Sequence, residues 1–328
     1  MVESSDQIKA IGGYFGLADC EDECELPIEN GILLNTGRNA LEYILTCIPN
    51  IKKIYLPVFT CEVVLEPLIR NNIIYDFYSI NKDLEIKDDI VLKEDEYIIA
   101  NNYFGIKDKY IEDLSRKFNG HLIIDNAQAL FAPVLPNIKA FYSARKFVGV
   151  ADGGFAVGVE SKGVSYFKED DSSLHNSHLI IRRDFGAEAG FKYYQQNETK
   201  LDNQPIKGMC RNTRDILCHI NYDRVKAIRR KNFEFLHNAL GKSNQLNIPQ
   251  ANSFVCPMVY PYYSNQGCEL RDRLIKNKIF VARYWPNVLD WCAKDSLEYK
   301  LADNTIAIPI DQRYGEIEMK RIIETINN

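Results

Sequence analysis

Three short stretches carry side chains that could do chemistry together. In Ile123-Ile124-Asp125-Asn126-Ala127-Gln128 an apolar run ends on a carboxylate. That places Asp125 at the edge where parallel sheets take their ligands, although Asp is equally at home capping a helix that follows. In Phe141-Tyr142-Ser143-Ala144-Arg145-Lys146 a lysine follows a short apolar stretch and precedes Gly149 and Asp152-Gly153-Gly154. Most lysines are plain surface charges. Here an apolar neighbourhood and the like charge of Arg145 would favour the neutral, nucleophilic amine. The third stretch, Asn35-Thr36-Gly37-Arg38-Asn39-Ala40-Leu41, is a polar turn running into a helical pattern. Its free N–H groups and helix dipole suit an anion such as a phosphate, but every helix needs a polar start.

The elements that must position these residues alternate. Helical patterns over 39–47, 61–70 and 109–118 are interleaved with apolar strand-like runs at 53–56, 73–78, 97–100 and 121–124, with further short strands at 139–142 and 154–159. Such alternation means crossover units and a mostly parallel sheet flanked by helices, an α/β domain. Residues 160–207 are polar and irregular, predicting a helix or two that form a surface lid. A long amphipathic helix over 213–240 stops at Gly241. Beyond it, strands at 253–259, 280–282 and 305–308 with helices at 267–277 and 316–325 predict a smaller α+β unit. The expected organisation is an N-terminal segment (1–34), a large α/β domain (35–212), a connecting long helix (213–241) and a small C-terminal α+β domain (242–328).

Composition narrows the function. The 328 residues include 40 Lys plus Arg against 45 Asp plus Glu, a net charge of −5, which makes a poor nucleic-acid binder, since neutralising phosphates needs a clustered basic face. The basic stretch 224–231 reads as the solvated side of a helix. No apolar run is long enough to span a membrane, and the start MVESSDQIKA lacks the features of a secretory signal. Nine cysteines, an odd and scattered set, point to reduced thiols in a cytoplasm. Cys20 and Cys24 could open a metal site, but no second close pair follows. His121, His175, His178, His219 and His237 supply no ligand set either, so no metal is expected.

Taken in order, the glycine-turn helix, the strand-Asp-x-x-Gln and the Ser-x-x-Lys-…-Gly-Gly resemble fold-type-I pyridoxal-phosphate enzymes, and among them the DegT-type sugar aminotransferases. Leu56-Pro57-Val58-Phe59-Thr60, Asn102-Tyr103-Phe104-Gly105 and the helix over 215–240 add to the likeness, which covers roughly residues 30–325 and is strongest between 33 and 160. The resemblance implies pyridoxal 5'-phosphate as cofactor. It makes Lys146 the Schiff-base lysine and proton carrier, and Asp125 the partner of the pyridine nitrogen. Gln128 would bond the ring hydroxyl, and Thr36, Gly37, Arg38 and Ser143 would hold the phosphate. Where relatives carry an aromatic residue on the cofactor ring, after Pro-x-x-Thr, this chain has Cys61, so either Tyr103 or Phe59 takes over or the stacking is weaker. The gap from Ser143 to Lys146 is shorter than in many relatives.

The resemblance also implies a homodimer with sites at the interface, the partner lending the segment 208–214. Two registers fit there: one matches Asn212 and Arg214 to the family's Asn-x-Arg, the other loses both. The implied activity is transfer of an amino group from an amino acid to a nucleotide-linked keto-sugar, as in amino-sugar or surface-polysaccharide biosynthesis. Two alternatives stay open: a pyridoxal-phosphate lyase or dehydratase acting on an amino acid or sugar, and a binding protein of the same fold without turnover.

Overall fold

The computed structural model describes residues 9–21, 25–161, 167–171 and 176–328. Cys24 and His175, weighed above as metal ligands, lie outside them. The chain opens with β1 (Ile11–Gly12) and β2 (Ile32–Leu34), then α1 (Gly37–Cys47), β3 (Lys53–Pro57), α2 (Leu65–Arg70), β4 (Ile74–Tyr78) and β5 (Glu96–Asn101). It continues through α3 (Asp108–Lys117), β6 (Leu122–Asn126), β7 (Lys139–Ser143) and β8 (Gly154–Val157). Seven of these strands form one sheet in the order β2-β8-β7-β6-β5-β3-β4. Every neighbouring pair is parallel except the two that involve β8.

Both faces of the sheet are covered, and the strand sequences show why. Ile98, Ile124, Tyr142 and Phe155 enter one core while their neighbours Ile99, Ile123, Phe141 and Ala156 enter the other. Successive side chains point to opposite faces, so a strand buried on both sides must be apolar throughout. The apolar stripe of α1, Ala40, Leu41, Ile44 and Leu45, closes the second core.

Two helices follow the sheet, α4 (Ser177–Phe185) and α5 (Ala187–Lys200), packed on each other and joined at Gly186, whose φ of +92° suits glycine. The expected single helix over 213–240 is two, α6 (Arg211–Cys218) and α7 (Tyr222–Leu240). The break comes from a new cap: the Asn221 side chain accepts the N–H of Arg224 at 2.9 Å.

The C-terminal part contains β9 (Val259–Tyr263), α8 (Gly267–Lys276), β10 (Ile279–Phe280), α9 (Val288–Trp291), α10 (Leu297–Asn304), β11 (Thr305–Pro309) and α11 (Glu316–Asn327). The strand expected at 253–259 is displaced to Val259–Tyr263, where it pairs antiparallel with β11. Residues 254 and 255 instead give their carbonyls to Arg230. Near the other end of the chain, β1 pairs parallel with β10, Ile11 against Ile279, so the N-terminal segment is stitched to this C-terminal unit. No helix among the described residues is long and apolar enough to cross a membrane.

Candidate active site

The register of three strands assembles the first part of the site. Gly154 opens β8 opposite both Leu34, where β2 ends, and Ser143, where β7 ends. A Cβ on Gly154 would stand 2.2 Å from the Thr36 carbonyl oxygen, so only glycine lets the turn after β2 lie this close. The Gly153 N–H donates to Asn35 O at 2.7 Å, and its own carbonyl accepts from Ala144 N at 3.0 Å. Thr36 caps α1, its hydroxyl accepting the Asn39 N–H at 3.1 Å. A Cβ on Gly37 would touch Ser143 Cβ at 3.4 Å. Thr36, Gly37 and Ser143 therefore meet at the start of α1, where the helix dipole favours an anion. Arg38 does not share this arrangement freely: its guanidinium is held by Glu66 and Asp202.

Asp125 lies near the end of β6, between Asn101 of β5 and Phe141 of β7. Its carboxylate accepts the Ala127 N–H at 2.8 Å, and no helix starts behind it. The helix-cap reading of Asp125 is thereby excluded. Burial raises its pKa, opposed by the positive charge of Lys146. Lys146 closes a short 3₁₀ turn directly after β7. Cys61 belongs to the same cluster: burial pushes its thiol up, while Lys146 acts in the opposite sense. The like charge expected from Arg145 is compensated, because Glu198 on α5 pairs with that guanidinium.

Gln128 is buried. Its Oε1 accepts the Phe104 N–H at 2.9 Å, and its Nε2 is buried without a hydrogen-bond partner. A buried amide left with two unused donors costs free energy, so this nitrogen fits a ligand acceptor. Tyr103 donates its hydroxyl to Phe59 O at 3.0 Å and packs with Phe59 and Trp285 in an aromatic cluster. Both residues considered as replacements for Cys61 thus belong to one packed group. In the segment expected to reach a partner subunit, Arg214 pairs with Glu169 and Arg211 is exposed.

What sequence reasoning missed is the space in front of Lys146. A cavity of about 940 Å³ runs between the ends of β7, the α4–α5 pair, the C-terminal unit and residues 12–15. The segment expected to be a surface lid is a wall of this cavity. Gly12, at φ +79°, passes so close to β10 that a Cβ would stand 2.3 Å from Phe280 O. Tyr14 then donates to Ala187 O at 2.9 Å, and a Cβ on Gly190 would stand 2.3 Å from its hydroxyl oxygen. Those glycines were the available signal.

No family model matches the chain, and no curated protein does. Solved structures do share its architecture. DesV of S. venezuelae, in complex with a ketimine intermediate, is 14% identical over 92% of this chain and 85% of its own, with a TM-score of 0.64. Spr1654 from Streptococcus pneumoniae, in its PMP form, is 17% identical over 90% and 86%, with a TM-score of 0.61. A DegT DnrJ EryC1 StrS aminotransferase from Brucella abortus is 14% identical over 92% and 86%, with a TM-score of 0.60. Identities this low speak for architecture. With its mostly parallel seven-stranded sheet flanked by helices, the chain has the fold of the DegT-type, fold-type-I pyridoxal-phosphate transferases.

Proposed function

We propose that the chain is a pyridoxal-phosphate-dependent aminotransferase that moves an amino group from an amino acid to a nucleotide-linked keto-sugar. The observation that carries this reading is that Lys146 lies close enough for its charge to act on Asp125, a half-buried carboxylate that caps no helix. The fold supports it: DesI, which shares the architecture, was solved in the presence of its TDP-sugar product, and Spr1654 has a PLP form as well as a PMP form.

When bound, pyridoxal phosphate supplies a ring that takes up the electrons of a substrate carbanion. The residues fit it. Gln128 Nε2 has the unused donors that a ring hydroxyl needs. The Asp125 carboxylate would keep a ring nitrogen protonated. Thr36, Ser143 and the N–H groups at the start of α1 would hold the phosphate, with Arg38 contributing charge from its place beside Glu66. Lys146 would anchor the cofactor and then carry a proton to and from the substrate carbon. The enclosing walls from residues 12–15 and α4–α5 would keep water from that carbon. We place the enzyme in a reducing cytoplasm, in keeping with its free cysteines, as a homodimer whose partner lends the segment 208–214.

The test is to supply pyridoxal phosphate, record the visible absorbance, reduce with borohydride and map the modified residue. Attachment to Lys146, followed by bleaching with an amino acid and recovery with a nucleotide-linked keto-sugar, is expected. Failure to take up the cofactor ends the proposal, and loss of water or a carbon fragment without amino transfer moves it to a lyase.

A further inference from the structure

The cavity in front of Lys146 is strongly cationic. Six Lys or Arg side chains line it against three Asp or Glu, in a chain whose net charge is −5. Arg145, Arg283 and Arg313 are matched by Glu198, Asp303 and Asp311. Arg182 and Arg229 have no carboxylate within ion-pair distance among the described residues. Arg229 is fully buried, and its guanidinium donates to Gln312 Oε1, Met258 O and Phe147 O and lies 4.7 Å from the centre of the Phe147 ring, so no carboxylate touches it and Asp311, already paired with Arg313, favours its charge only from a distance. Arg182 on α4 is 8% exposed, donates Nη2 to Gly12 O at 2.8 Å, and has no partner for Nη1. Its guanidinium lies 5.1 Å from the centre of the Tyr14 ring. Burial works against both charges.

An unpaired buried cation is costly unless something anionic compensates it. Two of them around one cavity, besides the lysine the cofactor would occupy, match a ligand with two negative charges. The diphosphate bridge of a nucleotide-linked sugar carries two and also brings a flat base, whereas an amino-acid donor offers its carboxylates alone. The cavity volume is at the upper end of the roughly 300–1,000 Å³ range of ligand pockets, more than an amino acid needs. The base has a surface available: Phe191 on α5 lines the cavity and is 49% exposed, beside the stacked pair Tyr14 and Tyr194.

We propose that Arg182, backed by the charge of Arg229, is the specificity-determining residue that reads the diphosphate of a nucleotide-linked acceptor, with Phe191 taking the base. The proposal rests on the aminotransferase reading and refines it by naming the substrate's anchor. The test is calorimetric titration of the protein, in the presence of pyridoxal phosphate, with thymidine diphosphate, uridine diphosphate and glutamate in separate arms. One of the two diphosphates should bind, and Arg182→Gln should weaken it about 10–100-fold, the worth of a hydrogen bond to a charged group. Cofactor uptake at Lys146 and the response to glutamate should not change.

Arg182→Lys guards against misfolding of the first variant. It keeps the charge but replaces the planar fork that can grip a phosphate bidentately with a single point of donation, so its affinity should fall between the two. Three results overturn the proposal: neither diphosphate binds the wild type, both variants bind as the wild type does, or the variants lose glutamate instead of the diphosphate. Absent cofactor uptake would sink the aminotransferase reading separately, because the heat of diphosphate binding is read independently of the absorbance.

Discussion

The backbone N–H of Phe104 donates to Gln128 Oε1 at 2.9 Å, and this one bond settles which way the amide of Gln128 is turned. Phe104 sits at φ +57°, a left-handed conformation in which a non-glycine residue needs support. Because the oxygen is taken, the donating end of Gln128 is the free one. A side chain that braces a strained turn is therefore also oriented toward a ligand.

Gln128→Glu separates the two duties. A carboxylate can still accept from Phe104 but offers no amide donor, so the variant should fold and bind pyridoxal phosphate about tenfold more weakly. Gln128→Leu should also orphan the Phe104 N–H and lose about 1–3 kcal/mol in urea unfolding. Cofactor titration by absorbance checks the first claim, and unchanged affinity in the Glu variant would refute it.

Asp125→Asn should keep its Ala127 bond, bind cofactor and lose about a hundredfold in turnover, since an amide cannot stabilise a ring cation. Burial raises the folded pKa of Asp125, so the folded chain holds this proton more tightly than the unfolded one. Its contribution to cofactor-free stability is most favourable below the unfolded pKa and declines as pH rises through the folded pKa. The Asn variant lacks that decline and should melt no lower than wild type at neutral pH. Melting curves across acidic and neutral pH, run beside rates, check both halves.

Gly154→Ala should cost about 1–3 kcal/mol, because a methyl group there collides with the Thr36 carbonyl. Displacing Thr36 and Gly37 should also release the cofactor phosphate. Gly120→Ala is the comparison: nothing lies within 4 Å and only its φ of +81° resists, so stability should fall with cofactor affinity intact. Equal cofactor affinities in the two variants would count against a phosphate site at the start of α1.

Subunit mixing tests the dimer. Lys146→Ala chains and chains carrying both Arg211→Ala and Arg214→Ala should each be inactive alone. If sites are shared across a two-fold axis, each mixed dimer has one intact site, and random pairing of equal amounts restores about a quarter of wild-type activity. Mixed dimers without recovery would mean that each site is built within one chain.

The sheet was legible because a doubly covered parallel strand has to be apolar on both sides, as Ile98-Ile99 and Ile123-Ile124 are. Asp125 and Lys146 stood out as candidates because each interrupts or follows such a run. The break before Tyr222 was hidden, since helical periodicity continues across it and only the Asn221 cap decides. The carboxylates that occupy Arg38 and Arg145 come from Glu66, Asp202 and Glu198, far along the chain, where no local pattern points to them. The cavity depends on the same kind of distant meeting. Gly12, Gly13 and Tyr14 have no evident role until β10 is placed beside them.

That pairing has a consequence for how the protein is made. Ile11 cannot find its neighbour until Ile279 has left the ribosome, on the order of tens of seconds later at the usual pace of synthesis. Strand β6 with Asp125 and strand β7, which leads into the turn of Lys146, can meet well before then, so the candidate site precedes its own enclosure. The wall carrying Tyr14 is a late addition, and translation halted short of β10 would leave Lys146 open to water.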